Sequence, residues 1–189
     1  LGGADRWVLA AVRIALDDAR ARRSGIPLWA LYGQQVRTRV RPYASSAGYV
    51  PDVPLADTWI AEAAAAQAAG FVGLKLRIGR NDPGEELDAI RIAHGAVPGL
   101  EWMADVNQAW SAETTRRRGA ELAAMGLRWL EEPMPTDDLG TYVSVRRELS
   151  IPIAGGEGTA SPGQATQALA AAAFDPIQPD ASICGGIGP

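Results

Sequence analysis

The sequence is poor in the residues from which many active sites are built. It holds one histidine, His94, and one cysteine, Cys184, in 189 residues. A single cysteine excludes an internal disulfide and fits a reducing compartment, so a cytoplasmic location is expected. His94 falls late in a predicted helix, close to Gly95, where it reads as a partner of the helix dipole rather than a catalyst. Basic excess is also lacking. A net charge of −4 leaves no footprint for nucleic acid and no polybasic patch for a membrane. No apolar run is long enough to span a bilayer. No charged-then-apolar stretch resembles a secretory signal. The glycine-rich stretches form neither a dinucleotide nor a phosphate-loop fingerprint.

What is present is ample material for a core, with 47% apolar and 21% charged residues. Residues 4–23 read as an amphipathic helix. Trp7, Val8, Val12, Leu16 and Ala19 recur at helical spacing, and Ser24-Gly25 stops it. Pro27 opens a short helical turn from Leu28 to Tyr32. From Arg39 the pattern alternates between strand and helix. Strands are predicted at Arg39 to Ser45, Phe71 to Ile78, Leu100 to Val106, Leu127 to Glu131, Ile151 to Ala154 and Pro176 to Asp180. Helices are predicted between them: Leu55 to Ala69, from an Asn81 or Asp82 cap to near Gly95, Ser111 to Gly126, Asp137 to Leu149, and Ser161 to Ala173. Pro83 stands at a first helical position. Ser161-Pro162-Gly163-Gln164 has the capping-box arrangement.

This alternation predicts an α/β fold, a partial (β/α) TIM-type barrel of about six of eight strands. Residues 1–38 precede the repeating part and read as the tail of another element, and 39–189 as an incomplete barrel. A complete barrel needs ~250 residues. The chain also begins with Leu1 and ends in the glycine-rich Gly185 to Pro189. It is therefore expected to be a piece of a longer protein.

Three carboxylates stand out. Asp105, Glu131 and Glu157 each close a short apolar run before a polar turn, and their spacing is even, 131−105 = 26 and 157−131 = 26. One β/α unit takes about that many residues, so the three acids are expected at equivalent C-terminal ends of successive parallel strands, where barrel active sites lie. Three hard oxygen ligands converging there suggest Mg²⁺. Glu131 rather than Glu132 is chosen because it keeps the spacing. Lys75 and Arg77 share a face of the neighbouring strand, as do Asp105 and Asn107. A lone acid at a strand end is usually a helix cap or a solvated loop residue. Three in register beside two cations are harder to explain so, because inward-facing charge is costly unless paired or metal-bound. Lys75 and Arg77 could still be ion-pair partners alone.

Lys75-Leu76-Arg77, Asp105-Val106-Asn107, Glu131-Glu132-Pro133, Gly156-Glu157 and Gln178-Pro179-Asp180 resemble, in order and spacing, the barrel motifs of the enolase superfamily, and of its mandelate racemase subgroup most closely. The resemblance covers essentially the whole chain. It implies a modified barrel after an α+β capping domain, of which residues 1–38 would be the tail. It implies Asp105, Glu131 and Glu157 as Mg²⁺ ligands, and Asp180 as the aspartate of a His-Asp dyad whose histidine would follow Pro189. It further implies a small carboxylate substrate, removal of its α-proton through an enediolate, Lys75 beside the substrate carboxylate, and homo-oligomers.

Arg77 departs from the pattern, since many relatives carry a second lysine there as a base. Arginine is effectively always protonated, yet it can hold a carboxylate or hydroxyl by paired hydrogen bonds. A 1,1-proton-transfer racemase needs acid/base groups on both substrate faces, whereas a dehydratase can manage with one base and an acid for the departing hydroxyl. The expected reaction is therefore dehydration of an acid sugar, an aldonate or aldarate, to a 2-keto-3-deoxy acid by a lyase. Lys75, Arg77 and Asp180 are the expected catalytic residues, and Lys75, Arg77 and Asn107 the substrate contacts. The rivals are a racemase or epimerase of a 2-hydroxy acid, and a non-catalytic barrel-derived binding protein.

Overall fold

The structure, a computed structural model, describes residues 3–45 and 48–188. Its contacts divide the chain into two compact units. One comprises Leu1–Val40, Gly156–Ala170 and Ile177–Pro189; the other comprises Arg41–Gly155 and Ala171–Pro176.

The second unit is built on a parallel sheet. Its strands are β1 (Ala44–Ser45), β2 (Gly73–Arg77), β3 (Glu101–Asp105), β4 (Leu130–Glu131) and β5 (Ile153–Ala154), hydrogen-bonded in sequence order. Helices α2 (Leu55–Ala68), α3 (Pro83–Ala96), α4 (Ala112–Ala124) and α5 (Leu139–Glu148) connect them. Parallel neighbours need such crossovers, because no tight turn can return a chain to the same strand direction. The two faces of the sheet differ in content. Leu74, Leu76, Trp102, Ala104, Leu130 and Ile153 are all at most 2% exposed and lie on one face by strand alternation. Met103, Trp129 and Ala154 cluster on the other, with Tyr43 packed against them. That second face also carries Lys75, Asp105 and Glu131.

The helix starts follow local chemistry. The Asp82 carboxylate caps α3 by accepting from the amides of Gly84 and Glu85, and Pro83 occupies the first turn, where a missing N–H costs nothing. Ser111 caps α4 through the Thr114 amide, and Asp138 caps α5 through Thr141. The Gly119 Cα in α4 faces α5's end closely, since a Cβ there would lie 2.7 Å from a Leu149 methyl.

The strands are shorter than predicted. Arg39 to Tyr43, Phe71, Val72 and Leu127 to Trp129 flank the assigned strands, and Pro42, Val72, Arg128 and Trp129 still bond the neighbouring segment through their backbones. Pro176 to Asp180 holds no strand among the described residues beyond one bridge residue, Ile177. The sheet of the described residues accordingly has five strands rather than six.

The other unit contains α1 (Gly3–Ser24), a 3-10 turn (Leu28–Leu31) and α6 (Pro162–Ala171). Helix α1 forms as its periodicity predicts, but Trp7, Val8, Val12 and Leu16 are exposed, while Ala10 and Ala21 are buried. The expected box at α6 forms in altered form. The Ser161 hydroxyl accepts from the Gln164 amide, and the Gln164 side chain reaches back to the amide of Ala160, one residue before the cap. Pro189, the last residue of the predicted terminal turn, lies outside the described residues. No helix among them is long and apolar enough to cross a membrane.

Candidate metal centre

The register of the sheet brings two of the three singled-out acids side by side. Asp105 ends β3, Glu131 ends β4, and the two are paired Cα partners. Asp105 is 2% exposed and Glu131 4%. Buried carboxylates need compensation, and Lys75 on β2 supplies part of it. Its Nζ lies 2.7 Å from Glu131 Oε1 and 3.3 Å from Asp105 Oδ2. The other Glu131 oxygen, Oε2, accepts from the indole N–H of Trp129 at 3.2 Å. Asp105 Oδ1 accepts from the backbone amide of Asn107 at 3.0 Å. Each carboxylate thus has one oxygen on the Lys75 ammonium and the other on a donor two residues away in its own segment.

Electrostatics within the trio pull in opposite directions. Burial and the neighbouring Glu131 carboxylate push Asp105 above the usual carboxylate range, against the pull of the Lys75 ammonium and the Asn107 amide. Burial alone would lower Lys75. The hydrogen bond and charge of Glu131, with the charge of Asp105, outweigh it and hold the ammonium above its ordinary value. Fully ionised, the trio sums to −1 −1 +1 = −1. Two desolvated carboxylates side by side favour positive charge placed next to them. Hard oxygen donors of this kind suit a divalent cation such as Mg²⁺. The donor set therefore fits the metal, although the described residues hold no group of three or more His, Cys, Asp or Glu arranged for one.

The even spacing does not carry over to equal register. Glu131 pairs with Ala154, so Glu157 stands three residues beyond the matching position (157−154 = 3), in an exposed segment after β5. The β4-to-β5 crossover is shorter in its pairing than the count of 26 implies. Glu157 and Asp180 belong to the other unit, where Asp180 accepts from the amide and hydroxyl of Ser182 at 2.7 Å each. Arg77 is exposed. Asn107 does not continue the strand alternation expected from Asp105. It has φ +48, and Gln108 has φ +67, so the backbone turns left-handed as soon as β3 ends. Glu132 (φ +35) is buried, with Oε2 accepting from Gln108 Nε2 at 2.8 Å. His94 lies in the last turn of α3 against Trp102.

Sequence reasoning missed three contributors. Trp129 reads as packing because indole is usually core material, and only the register shows its N–H at Glu131. Gln108 carried no signal. Glu86, 0% exposed in the first turn of α3, is indistinguishable by sequence from its neighbour Glu85, an ordinary dipole partner.

Comparison with known proteins places this geometry in a lineage. The profile of the family described as "Enolase C-terminal domain-like" matches residues 59–189. The L-talarate/galactarate dehydratase of Salmonella typhimurium is 35% identical over 181 residues, 94% of this chain and 44% of the relative. The D-galactarolactone cycloisomerase of Agrobacterium fabrum is 32% identical over 97% of this chain and 49% of its own length. A racemase from Streptomyces coelicolor, solved with bound magnesium, superposes with a TM-score of 0.89 at 32% identity, over 98% of this chain and 51% of that one. The chain thus spans about half the length of the curated relatives it matches. The profile match over most of the chain agrees with the sequential parallel β/α sheet and with two carboxylates paired at adjacent strand ends beside a lysine of the neighbouring strand: the chain belongs to the enolase C-terminal domain-like family.

Proposed function

We propose that the protein containing these residues is a Mg²⁺-dependent lyase that removes the α-proton of a small carboxylate substrate and dehydrates an acid sugar to a 2-keto-3-deoxy acid. The observation that carries this reading is the placement of Lys75 Nζ against two buried carboxylates, 2.7 Å from Glu131 and 3.3 Å from Asp105. Asp105 and Glu131 would hold the ion, with Glu157 proposed as the third ligand. The ion supplies Lewis-acid stabilisation of the charge that develops when a carboxylate loses its α-proton. That proton is poorly acidic, because its loss concentrates negative charge on one small group.

The remaining roles belong to this chain's own side chains. Lys75, held by Glu131 and Asp105 at the end of the sheet, would add positive charge next to the substrate carboxylate. Arg77, exposed at the end of β2, stays protonated and is suited to grip a hydroxyl or carboxylate. Asn107, exposed in the turn after β3, offers an amide for a substrate hydroxyl. Asp180 would orient a histidine contributed from outside these residues, and that pair would serve as base and then as acid for the departing hydroxyl. The names of the talarate/galactarate dehydratase and of the magnesium-bound racemase support the metal and the carboxylate substrate class.

The test is a screen of the full-length protein with Mg²⁺ across aldonates and aldarates. Formation of a 2-keto-3-deoxy acid is the expected outcome. Solvent deuterium entering the α-position without loss of water would overturn dehydration in favour of a racemase or epimerase. The similarity to the Streptomyces racemase makes that the second reading.

A further inference from the structure

We infer that Glu86 is a positioning residue that fixes the ends of β2 and β3, and with them the Lys75–Asp105 side of the proposed metal centre. Glu86 touches none of the site residues. Its carboxylate is fully buried and collects the amides of the loop that follows β2. Oε2 accepts from the Gly79 amide at 2.8 Å, and Oε1 from the amides of Arg80 at 3.1 Å and Asn81 at 2.9 Å. The Tyr49 hydroxyl, from the segment after β1, is a further donor to Oε1. A buried carboxylate is costly unless its lone pairs are filled, so four donors converging on one acid tie this loop to the first turn of α3.

The hold is passed on to the site through backbone. Gly79 has φ +96, and a Cβ there would stand 2.7 Å from the carbonyl oxygen of Val106. Only glycine lets the loop lie this close to the residue after Asp105. One residue earlier, the Ile78 amide donates to the Asp105 carbonyl at 2.8 Å. The loop is therefore fixed by Glu86 on one side and pressed on the end of β3 on the other. Tyr49 braces the hub from outside. Its ring stands edge-on to Trp59 and carries the Arg80 guanidinium 5.3 Å from its centroid, while Trp59 donates to the Gly48 carbonyl at 2.9 Å. Burial and the Glu86 carboxylate hold the Tyr49 hydroxyl protonated well above its ordinary range, so it remains a donor.

This inference rests on the magnesium reading above, and the test separates the two. Glu86→Gln and Tyr49→Phe are made in the full-length protein, then compared with wild type by amide exchange, Mg²⁺ titration calorimetry and steady-state kinetics. Glutamine keeps the volume but turns an NH₂ toward donors, and phenylalanine removes one donor only. In Glu86→Gln, exchange at Gly79, Arg80 and Asn81 should quicken roughly tenfold and spread to Ile78. Mg²⁺ affinity should fall roughly tenfold, and kcat should fall more than KM changes. The Glu132 amide, bonded to Ala154, should stay protected. Tyr49→Phe should move the same readouts less, and it decides the matter if Glu86→Gln does not fold. Unchanged exchange at 79–81 would show that Glu86 does not hold the loop. Faster exchange with unchanged Mg²⁺ affinity and kcat would make Glu86 a structural brace only. Either result overturns the inference. If wild type binds no Mg²⁺, the magnesium reading fails, and spread of exchange to Ile78 alone decides whether Glu86 fixes the strand ends.

Discussion

At the scale of single residues, the stability of the site is set by how two buried carboxylates share one ammonium. Lys75 forms an ion pair with both Asp105 and Glu131. Removing one partner of a buried pair costs far more than the pair contributes, because the charge left behind stays desolvated. Lys75→Met in the full-length protein is therefore expected to lose about 3 kcal/mol of stability in EDTA, read from denaturant midpoints. Added Mg²⁺ should restore most of that loss, since a cation would again face both acids. A variant as stable as wild type in EDTA would contradict the paired arrangement. The sequence made Lys75, Asp105 and Glu131 legible because charge on an inward strand face is expensive and therefore noticeable. Trp129 and Glu86 were hidden for the opposite reason. A buried indole and a first-turn glutamate are ordinary in sequence, and only strand register and loop path reveal what their polar atoms reach.

At the scale of elements, helix starts were legible and strand ends were not. Caps are local: Asp82, Ser111 and Asp138 each bond amides two or three residues ahead, so a short window contains the whole interaction. Strand ends depend on a partner that lies dozens of residues away. Hence Pro176 to Asp180 reads as a strand from its place in the alternation but shows one bridge residue, and Glu157 misses the register that its spacing suggested. Two predictions belong here. Ser111→Ala removes the acceptor of the Thr114 amide, 3.1 Å away, and should cost about 1 kcal/mol in thermal or denaturant unfolding. Asp138 accepts from the hydroxyl of Thr141 at 2.6 Å and from its amide at 3.0 Å. These bonds hold its carboxyl below the usual range. A depressed carboxylate contributes stability that is complete above the unfolded-state pKa, about 4, and is lost as pH falls through the folded-state value. Asn caps about as well as Asp at neutral pH. Asp138→Asn should therefore match wild type in Tm at pH 7 and lose less on acidification to about pH 3. Equal losses in the two proteins would show that the cap does not titrate.

At the scale of the whole molecule, the order of the sheet was the most legible feature, and the grouping of segments the least. Alternating strand and helix patterns imply parallel neighbours in sequence order, and the five strands follow it. The association of Gly156–Ala170 and Ile177–Pro189 with the N-terminal Leu1–Val40 has no local signature, because it joins segments distant in sequence. Glu157 lies in that association while Asp105 and Glu131 lie in the other unit. A three-carboxylate site is therefore a claim about the intact protein, and thermodynamic linkage tests it there without knowledge of the substrate. An ion that binds the folded state alone stabilises it by about 2.7 kcal/mol at a hundred times its Kd. The full-length protein should accordingly melt several degrees higher with saturating Mg²⁺ than in EDTA, and Glu157→Gln should reduce that rise along with Asp105→Asn. If the Glu157 variant keeps the full Mg²⁺-dependent rise while the Asp105 variant loses it, the third ligand is not Glu157. If wild type shows no rise, the acids serve only to balance Lys75, and the non-catalytic reading of the barrel gains over the lyase.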